Sequence, residues 1–174
     1  MLKVASFDIV FQEIPGEVTL ALNLSGCPCH CRGCHSPHLW EDTGETLDEE
    51  LLSGLLDRYG SMITCVAFMG GDQAPDEVAA WAEYIKIQDS RFKIQNSYPQ
   101  RGTIISKFKI QKTAWYSGRM NMPSVTGPFD YVKIGPYIES LGGLKSEKTN
   151  QRMYKRVGDE WQDITSVFRK NRFE

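Results

Sequence analysis

Four of the five cysteines in this 174-residue chain fall within eight positions, in Cys27-Pro28-Cys29-His30-Cys31-Arg32-Gly33-Cys34-His35. A secreted disulfide framework spreads an even number of staples along a chain. Here the count is odd and the thiols are crowded, while Cys65 stands alone in the apolar run from Met62 to Met69. Crowded thiols in a reducing compartment point to metal. The fold must therefore present one short loop that gathers sulfur.

The first, third and fourth cysteines of the run, Cys27, Cys31 and Cys34, give the spacing C-x3-C-x2-C. Thiolates hold iron–sulfur clusters, and electron-transfer clusters generally use four of them. Three protein ligands on a [4Fe-4S] cluster leave one iron open to a small molecule. Three alternatives compete with that reading. Cys29 as a fourth ligand makes a saturated electron carrier. The cysteines, with His30 or His35, make a structural zinc site. The run is otherwise adventitious. Zinc sites usually come as two ligand pairs across a long spacer, and no second pair occurs here. Ligands at 27, 29 and 31 together would crowd one short loop, so Cys29 reads as a bystander. Cys65 reads as a small core residue.

The surrounding pattern is that of parallel βα units. Val18 to Leu24 reads as a strand that ends where the cysteines begin. Thr46 and Glu49 suggest a capping box for a helix whose apolar face is Leu47, Leu51, Leu52, Leu55, Leu56 and Tyr59, with Gly60 as the stop. Met62 to Met69 reads as a strand covered on both faces, ending in Gly70-Gly71-Asp72. A second helix starts at Pro75 and carries Val78, Trp81, Ala82 and Ile85 on one face. Thr113 to Tyr116 and Phe129 to Ile134 read as two more strands. The expected fold is α/β with a mostly parallel sheet. A full eightfold barrel takes about 250 residues, so this chain has length for an incomplete βα barrel alone.

Both the cysteine loop and Gly70-Gly71-Asp72 then leave the C-terminal edge of that sheet, where parallel α/β proteins collect ligands. The glycines let backbone approach a ligand, and the Asp72 carboxylate suits an ammonium group. Tyr116, Ser117 and Gly118 end the third strand on the same edge, where they line the site or simply form a turn. Lys133 reads as an exposed strand lysine, and His38 and Trp40 as packing for the loop. Residues 86 to 112 hold seven Lys or Arg against one Asp, with similar strings FKIQN and FKIQK, and read as a basic insertion at about 88–111. The net charge of -2 gives no sign of a nucleic-acid partner. No apolar stretch approaches the roughly 20 residues of a membrane span, and MLKVASFDIV lacks the apolar run of a signal peptide. A single domain over 1–174, in the cytoplasm, is expected.

Longer strings add a resemblance. GCPCHCRGCHSPHLW at 26–40, FMGGD at 68–72, AWYSG at 114–118 and NQR at 150–152 resemble the radical S-adenosylmethionine (SAM) superfamily. Within it, they are similar to the activating proteins of anaerobic ribonucleoside-triphosphate reductase. The likeness runs from about residue 15 to 155, apart from 88–111. Many members of the superfamily carry Glu at the position of Asp72; the reductase activators are similar to this chain in using Asp. The resemblance implies a partial barrel of the radical-SAM type and one [4Fe-4S] cluster per chain on Cys27, Cys31 and Cys34. It implies SAM contacts from Gly33, Cys34 and His35, and from Gly70, Gly71 and Asp72. It further implies reductive cleavage of SAM to a 5′-deoxyadenosyl radical, which takes a hydrogen atom from a glycine of the large reductase subunit. Reduced flavodoxin or ferredoxin is the expected electron donor. Asn150, Gln151 and Arg152 match the family string without a chemical role that the residues themselves suggest, beyond that of a surface turn.

Overall fold

The computed structural model of the chain describes residues 1–96 and 112–169. Its strands are β1 (Lys3–Val10), β2 (Thr19–Leu24), β3 (Glu45–Thr46), β4 (Cys65–Met69), β5 (Lys112–Tyr116), β6 (Tyr131–Ile134), β7 (Arg152–Val157) and β8 (Glu160–Asp163). Its helices are α1 (Glu49–Tyr59) and α2 (Pro75–Asn96), with 3-10 turns at Pro37–Trp40 and Thr165–Arg169. The expected basic insertion lies outside the described residues except for the backbone of α2.

The strands make one open sheet in the order β3-β1-β2-β4-β5-β6-β7-β8. The expected parallel sheet is its centre, β2-β4-β5-β6. The flanks differ from expectation: β3 and β1 on one side and β7 and β8 on the other all pair antiparallel. β7 and β8 are a hairpin closed by Gly158 and Asp159, a two-residue turn with Gly158 at a positive φ of 62°.

Strand alternation divides the core. Leu20, Leu22, Leu24, Val66, Phe68, Trp115, Val132 and Ile134 face the helices and pack against α1 and α2. Full burial of each such side chain contributes roughly 1.5–3 kcal/mol. The helix α1 buries Leu52, Leu55 and Leu56 as its spacing requires. Its cap is not Thr46, which pairs with Lys3 at the sheet edge; Asp48 accepts the Leu51 N–H at 2.9 Å instead. On the opposite face, register aligns Ala21, Ala67 and Ala114 across three strands. Their small side chains leave room for Ile14, which packs there with Cys65, Tyr131 and Met153. Cys65 is thus the buried core thiol its sequence context implies.

At the N-terminal edge, Glu17 fastens the parallel strands together. Its carboxylate, 8% exposed, accepts from Thr64 before β4 at 2.7 Å, from Lys112 at the start of β5, and from Tyr131 at the start of β6 at 3.1 Å. Burial alone would raise this carboxyl. Lys112, Thr64 and Tyr131 outweigh it and hold it below the ordinary 4.5.

A folded pKa below the unfolded one means that the stabilisation is complete above about pH 4.5 and is lost as pH falls. Glu17→Gln should lower stability at pH 7 by about 1–3 kcal/mol. It should also flatten the acid limb of a urea-unfolding series between pH 7 and 4. Parallel acid limbs in the two proteins would show that Glu17 does not carry that stability.

Candidate metal centre

The cysteine loop is closed by backbone bonds at its two ends. Ser25 N–H donates to Lys3 O at 3.1 Å, Gly26 N–H to Glu41 O at 3.0 Å and Cys27 N–H to Leu39 O at 2.9 Å. These bonds bring residue 27 back to residue 39, the pattern of a compact surface loop with adjoining ends. Within it, Cys34 N–H donates to Cys31 O at 3.0 Å across a β-turn whose third residue, Gly33, has φ 75°. Such a turn holds its end Cα atoms within about 7 Å, which sets Cys31 and Cys34 side by side. His30 has φ 42°, the sole positive value at a non-glycine among the described residues, and bends the chain between Cys29 and Cys31. Ser36 N–H lies 3.4 Å from Cys34 Sγ and points a backbone donor at that sulfur. All four loop cysteines are half-buried.

Gly70-Gly71-Asp72 leaves β4 beside this loop. Gly70 and Gly71 have φ of 100° and 84°, two successive left-handed positions that only glycine takes readily. The turn folds Asp72 inward until it is 4% exposed. A carboxylate this buried requires donors, and β5 supplies them. Ser117 Oγ–H donates to Oδ1 at 2.6 Å and Gly118 N–H to Oδ2 at 2.8 Å. The Cys29 thiol lies 3.9 Å from the same Oδ2. Gly70 is tied to β5 as well, its N–H donating to Tyr116 O at 3.0 Å and its carbonyl accepting the Trp115 indole N–H at 2.7 Å. Gly71 sits too close to Val78 and Leu24 for any side chain. Burial, then Asp72 and the sulfurs of Cys27 and Cys31, push the Cys29 thiol up to about 12.

Directly below the loop, register aligns Asn23, Met69, Tyr116 and Lys133 across β2, β4, β5 and β6. Lys133 is not the exposed lysine expected from sequence. It is 8% exposed and donates to Gly135 O at 2.6 Å and Ser117 O at 3.3 Å. Burial lowers it to about 8, a shift that Asp72 and the sulfurs of Cys31, Cys29 and Cys27 oppose. The floor of the site therefore holds one carboxylate and one amine, both buried.

Other sequence expectations resolve residue by residue. Ser117 and Gly118 serve Asp72, whereas the Tyr116 hydroxyl turns away to Glu13 O. Trp40 does pack the loop, stacked on His30 at 5.0 Å and 14°; His38 is exposed instead. His35 meets Tyr137 edge-on at 4.9 Å, and Gly33 lies against the Glu139 side chain. An open hollow of about 500 Å³ adjoins Arg32 and is lined by Tyr137 to Ser140. Asn150, Gln151 and Arg152 are more than a surface turn. Asn150 Nδ2 donates to Pro136 O at 2.9 Å and Gln151 Nε2 to Gly135 O at 3.4 Å. Arg152 donates to the carbonyls of Thr149 and Gln151, each at 2.8 Å. Asn150 and Gln151 thus brace the turn after β6, and Arg152 holds the segment that carries them. Sequence reasoning missed that brace because its partners lie about fifteen residues away.

Among the described residues, no three His, Cys, Asp or Glu side chains are grouped as around a single metal ion. Cys27, Cys31 and Cys34 are part-exposed thiols on a closed loop, with a backbone donor at one sulfur, a donor set whose chemistry suits an iron–sulfur cluster. A family model described as a 4Fe-4S single cluster domain matches residues 15–134, a span that includes β2 through β6 and the whole loop. No curated protein and no solved structure matches the chain.

Gly71→Ala tests the packing of this turn. The added Cβ would stand 2.5 Å from Val78 Cγ2 and 2.8 Å from Leu24 Cδ1 at a positive φ, so a loss of about 2–4 kcal/mol is expected. Gly33→Ala, also at positive φ but facing only the flexible Glu139 side chain, should lose about 1 kcal/mol. Equal losses in denaturant unfolding would refute the packing account.

Proposed function

The chain belongs to the 4Fe-4S single cluster domain family, and on that premise we propose that it is a radical-SAM enzyme that activates an anaerobic ribonucleoside-triphosphate reductase. The observation that carries this reading is the division of the four sulfurs. Cys29 is engaged with Asp72 and Gly118, which leaves Cys27, Cys31 and Cys34 for the cluster. Three ligands leave one iron for SAM. When bound, SAM and the reduced cluster supply a 5′-deoxyadenosyl radical; the radical chemistry is the cofactor's.

The chain's own residues bind and orient. Cys27, Cys31 and Cys34 hold the cluster. The turn at Gly33, Cys34 and His35 meets SAM from the loop side. Gly70, Gly71 and Asp72 take its methionyl end, with the Asp72 carboxylate already fixed by Ser117 and Gly118. An acceptor held in place before the ligand arrives needs no reordering on binding. The sheet, in this reading, is the wall of an incomplete βα barrel of the radical-SAM type.

The substrate is a protein: a glycine in the C-terminal region of the large reductase subunit gives up a hydrogen atom and becomes a stable glycyl radical. Supporting this are the part-exposed sulfurs and the open hollow beside Arg32, which leave the loop accessible to a polypeptide. Reduced flavodoxin or ferredoxin supplies the electron. No helix of the described residues is long and apolar enough to cross a membrane, and the proposed setting is the cytoplasm.

Anaerobically purified protein, reduced and given SAM, should release 5′-deoxyadenosine and methionine. With the large reductase subunit added, it should produce a doublet of glycyl type in the electron paramagnetic resonance spectrum. Cys27→Ser, Cys31→Ser and Cys34→Ser should each abolish both products. SAM cleavage without the doublet would reassign the partner; a loaded cluster that leaves SAM intact would defeat the enzyme reading.

A further inference from the structure

Cys29 lies between Cys27 and Cys31 in sequence, and its thiol, which also meets that of Cys27, rests against the edge of the sheet. The thiol approaches Asp72 Oδ2 to 3.9 Å. A Cβ on Gly118 would stand 2.5 Å from Cys29 Sγ and 3.2 Å from Cys29 Cβ. The thiol therefore fills a slot that exists because position 118 has no side chain. Gly118 is held in turn by its own N–H on Asp72 Oδ2 at 2.8 Å. Thiol, carboxylate and glycine backbone close a small triangle at the edge of β4 and β5.

This triangle adds a long-range anchor to the local bonds of the loop's backbone. Bonds at 26, 27 and 34 secure the ends of the cysteine run. Between them, Pro28 and Cys29 form a turn that spans Cys27 to His30. Two side chains anchor that turn to the rest of the fold: His30 stacked on Trp40 outside, and Cys29 against Asp72 and Gly118 inside. A thiol suits the inner position. It behaves as a small apolar group with a weak S–H donor, so it can both fill a slot and meet a carboxylate. Serine would give up part of the volume and the reach, because its C–O bond is shorter than a C–S bond.

We infer that Cys29 is a positioning residue, a latch that holds the middle of the cluster loop against Asp72 and Gly118 and thereby sets where Cys27 and Cys31 present their sulfurs. The inference rests on the reading that three cysteines carry the cluster. It adds that the fourth fixes the cluster's distance from the buried floor, and so its access to water. Solvent access is one of the determinants of an iron–sulfur potential.

The test uses full-length protein purified without oxygen, with its cluster in place. Cys29→Ala should keep the wild-type iron and sulfide content. Its midpoint potential should move to a higher value, because a loosened loop admits water that stabilises the more negative reduced cluster. Iron loss to a chelator should be about tenfold faster, as for other supporting residues around metal ligands. Gly118→Ala should have a larger effect, since the new methyl displaces the thiol. In the double variant the 2.5 Å clash is gone, so iron loss should be no faster than in Cys29→Ala, a non-additive pair. If Gly118→Ala does not fold, Cys29→Ala and the double variant still decide the matter. Loss of the cluster from Cys29→Ala, as from Cys31→Ser, would make Cys29 a ligand and overturn the three-sulfur reading with the latch. An intact cluster with unchanged potential and iron-loss rate, or additive substitutions, would overturn the latch alone.

Discussion

A carboxylate taken out of water has to be met by donors, and at Asp72 that requirement organises the whole C-terminal edge of the sheet. The donors come from Ser117 and Gly118, forty-five and more residues further along. The end of β5 is thereby fixed against the end of β4 wherever the intervening chain goes. Two consecutive left-handed glycines are what turn Asp72 inward, and the lack of a side chain at 118 is what lets Cys29 reach it. Charge, backbone conformation and empty volume are thus one device. The buried amine of Lys133 completes the floor by gathering the carbonyls of Ser117 and Gly135.

The opposite edge repeats the solution with other residues. Glu17 gathers donors at the starts of β4, β5 and β6, much as Asp72 gathers them where β4 and β5 end. Central parallel strands are apolar on both faces, and apolar packing is non-directional. Polar fastenings at the two ends add directionality that packing between them lacks. Loops set on such a scaffold inherit its precision, which is why functional groups are so often found there. Asn150 and Gln151 extend the same logic, bracing the turn that follows β6.

The centre of this fold was legible because it depends on local signals. Leu20, Leu22 and Leu24, the run around Val66 and Phe68, and the leucines of α1 declare themselves by period and length. The cysteine loop declares itself by spacing. The flanks did not, for a physical reason. In β7, Lys155 lies over the Tyr131 ring and Arg156 over that of Trp161, so charged residues that read as solvent-facing bury their stems on aromatic faces. The Gly158-Asp159 turn was a usable hairpin signal that the charge around it obscured. In β1, exposed positions such as Asp8 reflect a strand near the sheet edge and weaken the apolar pattern. Lys133 offered a clue in its neighbours: a lysine inside Tyr-Val-Lys-Ile is surrounded by core residues and needs an internal acceptor. The partners of Asp72, Asn150 and Gln151 are distant in sequence, and no local pattern encodes them.

The site is unequal on its two sides, and this bears on what it acts upon. Below the loop the polar groups Asp72, Ser117 and Lys133 are buried and bonded to one another's segments. On the loop itself the sulfurs are half-exposed, and Arg32, Gly33 and His35 face solvent. A reactive species made here from a small substrate would find a floor but no cover among the described residues, open to the side reactions that enzymes exclude by closing over their ligands. The proposed protein substrate would remove that difficulty, because the docking polypeptide would itself be the missing wall. An open sheet, a closed loop and a buried floor then belong together under the proposed function: the chain would build half of an active site and leave the other half to the polypeptide that docks on it.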